Sequence, residues 1–392
     1  MSTDPLYDLK EPTQWAEPPR DYSFSTLQSL RACPRRWQLA HSAWGPHARF
    51  PERPHPAAIE GEIVHEALDL LARELGRRGR PAIASADFRG AVERCGFWAF
   101  FTTQIDAWNR RLAAHPRAGP RYVVRTKPRD LANQTISLFR DRYQPGDGES
   151  FDARAADTEG NKRSNSSASP LALLQARGAL SEVRLDHPSL PLTGVLDLVM
   201  LEPDLSATVV DFKTGERKPA HKDQVLFYAL LWWRAAGTRP GKAVLQYLDS
   251  SWAFSPEEPD LVAVERIIAK EIDRARDALS ARPAAAVPGH DCTWCPVRPR
   301  CNEGWAWGER ASRAATTSKT VDIEVTVSSN PTATGFLGTR SNGDEISVVF
   351  DAAVGCGLPP AKPGDRFRIV DAIPRPGDRE ITLLPWTEMY RL

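Results

Sequence analysis

The chain has almost no net charge: 51 Lys and Arg against 50 Asp and Glu leave +1 over 392 residues. That excludes a globally basic nucleic-acid binder, so any contact with a polyanion must come from a local patch. Cysteine is scarce as well. Six in a chain of this length are too few for a disulfide scaffold, and the clustering of three of them points, in a reducing compartment, to a metal. No apolar run of about 18 residues occurs, and the start, Met1-Ser2-Thr3-Asp4-Pro5, lacks the apolar core of an export signal, so a cytoplasmic location is expected. Neither a Gly-rich phosphate loop nor a G-x-S-x-G elbow is visible, which leaves sugar or nucleotide hydrolase chemistry unsupported. There is no fixed-period repeat.

What is there reads as two or three domains. Residues 1–21 are polar and Pro-containing, a tail. Ser25 is placed to cap a helix running to Leu39, and residues 57–78 carry Ile63, Val64, Ala67, Leu68, Leu71 and Ala72 at helical spacing, which predicts a core-facing helix. Residues 86–114 and 127–142 read as two further helices of an insertion spanning about 80–178. Within it, 144–170 is so poor in apolar residues that a mobile loop is expected. Strands are predicted at 181–187, 193–202 and 207–213, then a helix over Pro219–Ala236, a strand over Ala243–Leu248 and a helix over Ser255–Ala281. Counted from the helix around His65, the order is αβββαβ, a mixed sheet flanked by helices with a right-handed crossover to the fourth strand. Beyond Thr316 the period changes to two, in Val321–Val327, Ile346–Phe350, Arg366–Val370 and Ile381–Leu384, which implies a small all-β barrel or sandwich, OB-like, over 316–392.

The chemistry concentrates in the strands. Gly194-x-x-Asp197 and Asp211-Phe212-Lys213-Thr214-Gly215 put an acid on each of two apolar strands and a lysine beside the second. Asp211 and Lys213, two apart on one strand, point to the same face. Two carboxylates suit hard, oxygen-seeking Mg2+ or Mn2+, which polarises a phosphodiester and acidifies an attacking water, while a lysine stabilises charge developing on phosphorus. An isolated D-x-K would more simply be a strand-end salt bridge. Gln224 and Tyr228, four apart on a helix, share a face. Four thiolates, Cys33 upstream and Cys292, Cys295 and Cys301 in a C-x2-C-x5-C run, suit either zinc or an iron–sulfur cluster. Cys95 and Cys356 have no such partners.

Five pieces in order, Ser25 to Trp37 with Cys33-Pro34-Arg35-Arg36, Gly61-x-x-x-His65-x-x-Leu68, Gly194-x-x-Asp197, Asp211-Phe212-Lys213-Thr214-Gly215 and Gln224-x-x-x-Tyr228, closed by the cysteine run, give a set far more specific than any member. Over residues of about 22–305, interrupted at about 80–178 and within a nuclease domain expected at 22–315, the chain resembles the PD-(D/E)XK nuclease superfamily, in particular its RecB-like branch of CRISPR adaptation nucleases and recombination-helicase nuclease domains. The resemblance implies a restriction-endonuclease-like αβββαβ core. It implies His65, Asp197 and Asp211 as metal ligands, Lys213, Gln224 and Tyr228 at the scissile phosphate, and Glu182 at the metal's water shell or the substrate. It also implies a 4Fe-4S clasp on the four cysteines, with zinc as the alternative. The expected activity is a metal-dependent deoxyribonuclease, an exonuclease acting on single-stranded or end-containing DNA in repair, recombination, CRISPR adaptation or phage defence. A helicase or defence-complex protein is the expected partner, and the rival reading is an inert DNA-end-binding scaffold subunit.

Overall fold

A computed structural model describes residues 4–76, 84–118, 123–140, 169–213, 215–247, 249–314, 320–351, 360–377 and 379–392. The loop expected over 144–170 lies almost wholly outside the described residues, as do Thr214 and Leu248.

The central sheet has five strands, β1 (Ala179–Asp186), β2 (Thr193–Leu201), β3 (Ala207–Lys213), β4 (Lys242–Tyr247) and β5 (Ser251–Phe254), in that spatial order. β1 to β3 form an antiparallel meander, β4 pairs β3 in parallel, and β5 returns antiparallel to β4. The parallel pairing requires a crossover, and α8 (Pro219–Ala236) supplies it. Proline opens that helix, where its missing N–H is no loss, and Gly237 at φ +78° stops it in the left-handed conformation. β3 is buried at nearly every position, as expected of a central strand covered on both faces.

Two cores flank the sheet. On one face α8 buries Val225, Phe227, Leu230, Leu231 and Trp232 against Val209, Ala243 and Leu245, together with Leu27 and Leu30 of α1 (Phe24–Ala32) and Ile268 and Ile272 of α9 (Glu258–Ala278). On the other, α3 (Pro56–Gly76) packs Ile63, Val64, Ala67, Leu68 and Leu71 on Leu198, Val210 and Phe212. The insertion helices α4 (Ala86–Arg94), α5 (Phe97–Ala113) and α6 (Pro128–Arg140) share that second core through Phe97, Phe101 and Leu131.

Several sequence expectations are corrected. The first helix is capped by Ser23, whose side chain accepts from Thr26 N, not by Ser25. It does not run to Leu39: it ends at Cys33 and α2 (Pro34–His41) starts afresh, because a residue before proline is pushed out of the helical region. The helix expected over 86–114 breaks at Gly96, φ +66°. Strand β5 and, in the C-terminal region, the strands Gly335–Arg340 and Glu388–Arg391 carry too few alternating residues to be seen locally. Residues 4–21 are packed, with Leu6 and Tyr7 buried.

The C-terminal strands β6 (Val321–Val327), β7 (Gly335–Arg340), β8 (Glu345–Phe350), β9 (Arg366–Pro374) and β10 (Glu380–Leu383) close into a ring, since β10 pairs β8 in parallel and β9 antiparallel while β6 pairs both β7 and β9. β11 (Glu388–Arg391) adds to β9 outside the ring. At Gly335, φ +147°, a Cβ would fall 2.0 Å from Val348 O, so only glycine fits this closure. The barrel does not stand apart. Val370 and Tyr390 join Leu6, Tyr7, Trp44 and Phe50 and, from the cysteine-rich segment, Val297, Cys301 and Trp305, in one apolar cluster.

A buried ion network sits beside that cluster. Arg117 grips Glu388 through both carboxylate oxygens at 3.0 and 3.1 Å, Arg53 donates to Glu388 at 3.0 Å, and Arg117 also donates to Pro296 O at 2.9 Å. Burial alone would raise the Glu388 carboxyl, but the two guanidiniums outweigh it and hold it at about 2. Breaking one partner of a buried pair leaves a charge uncompensated, so Arg117→Ala should lower unfolding free energy in urea by about 3–5 kcal/mol. Because the folded carboxyl titrates below the unfolded one, its contribution is complete above about pH 4.3 and lost as pH falls toward 2. Glu388→Gln should flatten that part of the pH–stability curve.

Candidate active site

The site lies where β2 and β3 part. Their ladder runs from Leu201↔Ala207 to Leu198↔Val210 and goes no further. One residue on, Asp197 Oδ2 accepts from Phe212 N at 2.8 Å, so a side chain takes over the bond a strand would have made. Glu182 stands opposite Asp197 on the other side, between Ser181, paired with Leu198, and Val183, paired with Leu196. Its φ of +47° is left-handed, a strained conformation for a residue with a Cβ and one concentrated at functional positions.

α3 brings in His65, whose Nδ1 is 3.5 Å from Asp197 Oδ1. His65, Glu182 and Asp197 each offer a ligand atom within 4.8 Å of the others. Asp211 is outside that trio. Its carboxylate is 1% exposed, and Oδ2 has no hydrogen-bond partner. Lys213 Nζ is 2.7 Å from this oxygen, a charge contact off the axis of a directed bond. The aligned bond of Lys213 goes to Gln224 Oε1 at 2.9 Å, and Gln224 Nε2 in turn donates to Tyr228 OH at 2.9 Å. The sequence had His65, Asp197 and Asp211 as ligands with Glu182 further out; in the fold Glu182 joins His65 and Asp197 in a group within 4.8 Å that does not include Asp211.

Electrostatics follow from this crowding. Burial, then Asp197, pushes the Glu182 carboxyl up to about 7. Burial and Asp197 also raise Asp211, against the pull of Lys213. For His65, burial works downward but the hydrogen bond and charge of Asp197 prevail, so its pKa is raised. Three carboxyl groups, one of them almost fully buried, and a neutralisable imidazole fit a divalent cation, which would replace the protons.

Gly194 sets the distance of α8 from the sheet. A Cβ there would meet Leu231 Cδ1 at 2.7 Å and Tyr228 Cε1 at 3.2 Å, so glycine lets the helix come close enough for Gln224 to reach Lys213. Sequence reasoning missed Asp69, one helical turn after His65. It accepts from Ser181 Oγ at 2.7 Å and ties α3 to β1 beside Glu182; the i,i+4 spacing from His65 was the available signal.

The four cysteines converge elsewhere. Cys33 ends α1 and caps α2, and Cys33, Cys292, Cys295 and Cys301 line one pocket with Arg35, Arg36 and Arg298. Backbone N–H groups of Arg36 and Val287 point at Cys33 Sγ, that of Gly289 at Cys292 Sγ and that of Gly304 at Cys301 Sγ, each at 3.4 Å. Such donors stabilise thiolate charge. Burial raises the Cys295 thiol to about 11 and raises Cys301 as well; metal ligation would displace those protons. Gly304 lies against the pocket: a Cβ there would sit in ordinary contact with Cys301 Sγ at 3.4 Å and Cys292 Sγ at 3.6 Å. Cys95 is remote from the pocket, bonded to Val92 O.

Residues 21–302 match the family model of the PD-(D/E)XK nuclease superfamily. The chain belongs to that superfamily. Its members are in general metal-dependent phosphodiesterases that use Mg2+ or Mn2+, and the mixed α/β architecture agrees with their fold. No curated protein matches the chain. A solved structure titled "Crystal structure of SSO0001" is similar at 13% identity over 62% of this chain and 96% of that one, with a TM-score of 0.24, too low to carry a structural argument. Among the described residues no helix is long and apolar enough to cross a membrane.

A cation that binds only the folded site should raise Tm. Mn2+ at about 100 times its Kd would add about 2.7 kcal/mol, seen as a higher melting temperature of wild type. Asp197→Ala, which removes the carboxylate shared by His65 and Phe212 N, should abolish most of that rise.

Proposed function

We propose that the protein is a divalent-metal-dependent DNA nuclease of the RecB-like branch, cutting at DNA ends as an exonuclease in repair, recombination, CRISPR adaptation or phage defence in the cytoplasm. The observation that carries the reading is the meeting of His65, Glu182 and Asp197 at the strand fork beside the buried carboxylate of Asp211, against which Lys213 stands at 2.7 Å. These four would hold Mg2+ or Mn2+. When bound, the cation supplies polarisation of the phosphodiester and a more acidic attacking water. The protein's own part is positioning. Gln224 holds the Lys213 ammonium toward the same pocket, where it can stabilise charge gathering on the phosphoryl oxygens. Tyr228, its phenol kept protonated by burial, steadies Gln224.

The cysteine pocket supports a 4Fe-4S clasp over zinc. Among the described residues the trio within 4.8 Å is His65, Glu182 and Asp197, so no three cysteine sulfurs are that close. A tetrahedral zinc site needs sulfurs about 3.8 Å apart, whereas a four-iron cluster spans a wider pocket. The barrel's ring order, with β8 and β10 parallel, supports an OB-like assignment. Some of its side chains face inward: Phe367 and Tyr390 are buried, and Arg368 donates to Pro299 O at 3.0 Å and Asn302 Oδ1 at 2.8 Å, while Arg366, Arg375 and Arg379 stay exposed. Through the inward contacts the barrel is read as a brace on the cysteine-rich segment.

End-labelled single- and double-stranded DNA with Mg2+ or Mn2+ is the direct assay. Asp211→Ala and Lys213→Ala should each cut at least about 100-fold more slowly while still binding DNA; cutting at the wild-type rate by either sinks the assignment. End binding without any cutting by the wild type would make the protein a scaffold subunit. Purified without oxygen, the protein should be brown, with broad absorbance near about 400 nm that Cys295→Ser lacks. Colourless protein with one zinc per chain would replace the cluster by zinc.

A further inference from the structure

Beside the site, on the sheet face that α8 covers, cations and aromatic rings interleave in a way the metal chemistry does not use. Asp211 pairs with Leu245 across the β3–β4 ladder and Lys213 with Tyr247. Leu245 pairs in turn with Trp252 on β5. Residues paired in register point to one face, so Asp211, Lys213, Tyr247 and Trp252 share it. Two strand spacings separate the backbones of Asp211 and Trp252, about 10 Å. β5 is the last strand of the sheet, and Trp252 is 42% exposed, a large apolar surface at an open edge.

The first turn of α8 and the segment before it arm this edge with charge. Lys222 Nζ lies 5.5 Å from the Trp252 ring centroid and 6.0 Å from that of Phe254, and the two rings are 4.8 Å apart at 32°. Arg217 lies over Tyr247 at 5.5 Å, and His221 Nδ1 is 2.9 Å from Tyr247 OH. Arg217 has an exposed carboxylate, Asp249, at 3.9 Å, whereas Lys222 has no carboxylate partner among the described residues. The combination of an exposed indole, an unneutralised ammonium above it and a path of one or two nucleotides to the carboxylates is that of a stacking platform. A π-face accepts any unpaired base, and the ammonium accepts its phosphate.

We propose that Trp252, with Phe254 and Lys222, is a subsite that stacks an unpaired base of the nucleic-acid strand next to the scissile phosphate. The inference rests on the nuclease reading above and adds to it a preference for single-stranded substrate. Occupancy by charge and stacking, rather than by a protein strand pairing with the β5 edge, is favoured because the exposed groups are a cation and rings, and because the same face leads directly to Asp211 and Lys213.

The test uses the full chain and a fluorescent 20-mer of oligo-dT, with cleavage prevented by EDTA, and a blunt duplex of matched length. Trp252→Ala should weaken single-strand binding roughly 5- to 100-fold and the duplex much less, with Trp252→Phe retaining most of the affinity. Lys222→Ala should weaken single-strand binding and reduce the slope of log K against log salt by about 0.7, one phosphate contact. In cleavage of the same oligonucleotide with Mn2+, Trp252→Ala should raise KM far more than it lowers kcat. Both substituted side chains are exposed, so melting temperatures should match wild type. Wild-type single-strand affinity in Trp252→Ala, or equal losses on duplex and single strand, overturns the platform while leaving the nuclease reading intact if Asp211→Ala is still dead. A wild type that neither binds nor cuts nucleic acid overturns both.

Discussion

A carboxylate removed from water is the constraint around which this molecule is arranged. Asp211 is almost completely buried on the central strand and one of its oxygens finds no hydrogen bond. An isolated charge in such a place would cost many kcal/mol, and proteins respond by shifting the pKa or bringing a counter-charge. Both responses are present here: the carboxyl is raised, and Lys213 stands 2.7 Å away. The splayed strands, the left-handed Glu182, the glycine under α8 and the His65 helix all serve to keep three acidic groups within a few ångströms. Such an assembly is unfavourable by itself and becomes favourable once a divalent cation shares its charge.

Away from that centre the molecule is tied together by a second polar constraint. Cys33 and the segment Cys292–Cys301 come from opposite ends of the matched region and meet in one pocket. The chain between Cys295 and α10 (Asn302–Ala314) then presents its carbonyls and rings to the barrel. Pro296 O accepts from Arg117, Pro299 O from Arg368, and Arg300 donates to Arg391 O at 2.6 Å. The cysteine pocket, the buried Glu388 network and the N-terminal residues Leu6 and Tyr7 thus act on the same few turns of chain. Disrupting that pocket would loosen the barrel and the N-terminus together.

How much of this was legible depends on whether a feature is local. The αβββαβ order, the two strand acids and Lys213 follow from alternation and helical spacing within 10 to 20 residues, and the structure places them as read. The breaks at Cys33 and Gly96 had local signals, a following proline and a glycine, that the reading passed over; the strands β5, β7 and β11 were not legible, since each is short and set by what it packs on. β5 has four residues and exists because β4 offers it an edge. Asp69 was visible as a helix residue but not as the tie to Ser181, which is 112 positions away.

From its own chemistry the sequence determined which groups are available: hard oxygen ligands and an imidazole for a divalent cation, four thiolates for a softer centre, and a change from mixed to purely alternating patterning near residue 316. Periodicity and residue type are properties of neighbouring positions, so the chain declares them without folding. Only the tertiary structure decided that Glu182 meets His65 and Asp197, and that Arg368 of the barrel turns inward to the cysteine-rich segment. It alone decided that Trp252 shares a face with Lys213. These are distances between residues far apart in the chain, and they are set by the register of strands and the approach of helices, which packing fixes and composition does not.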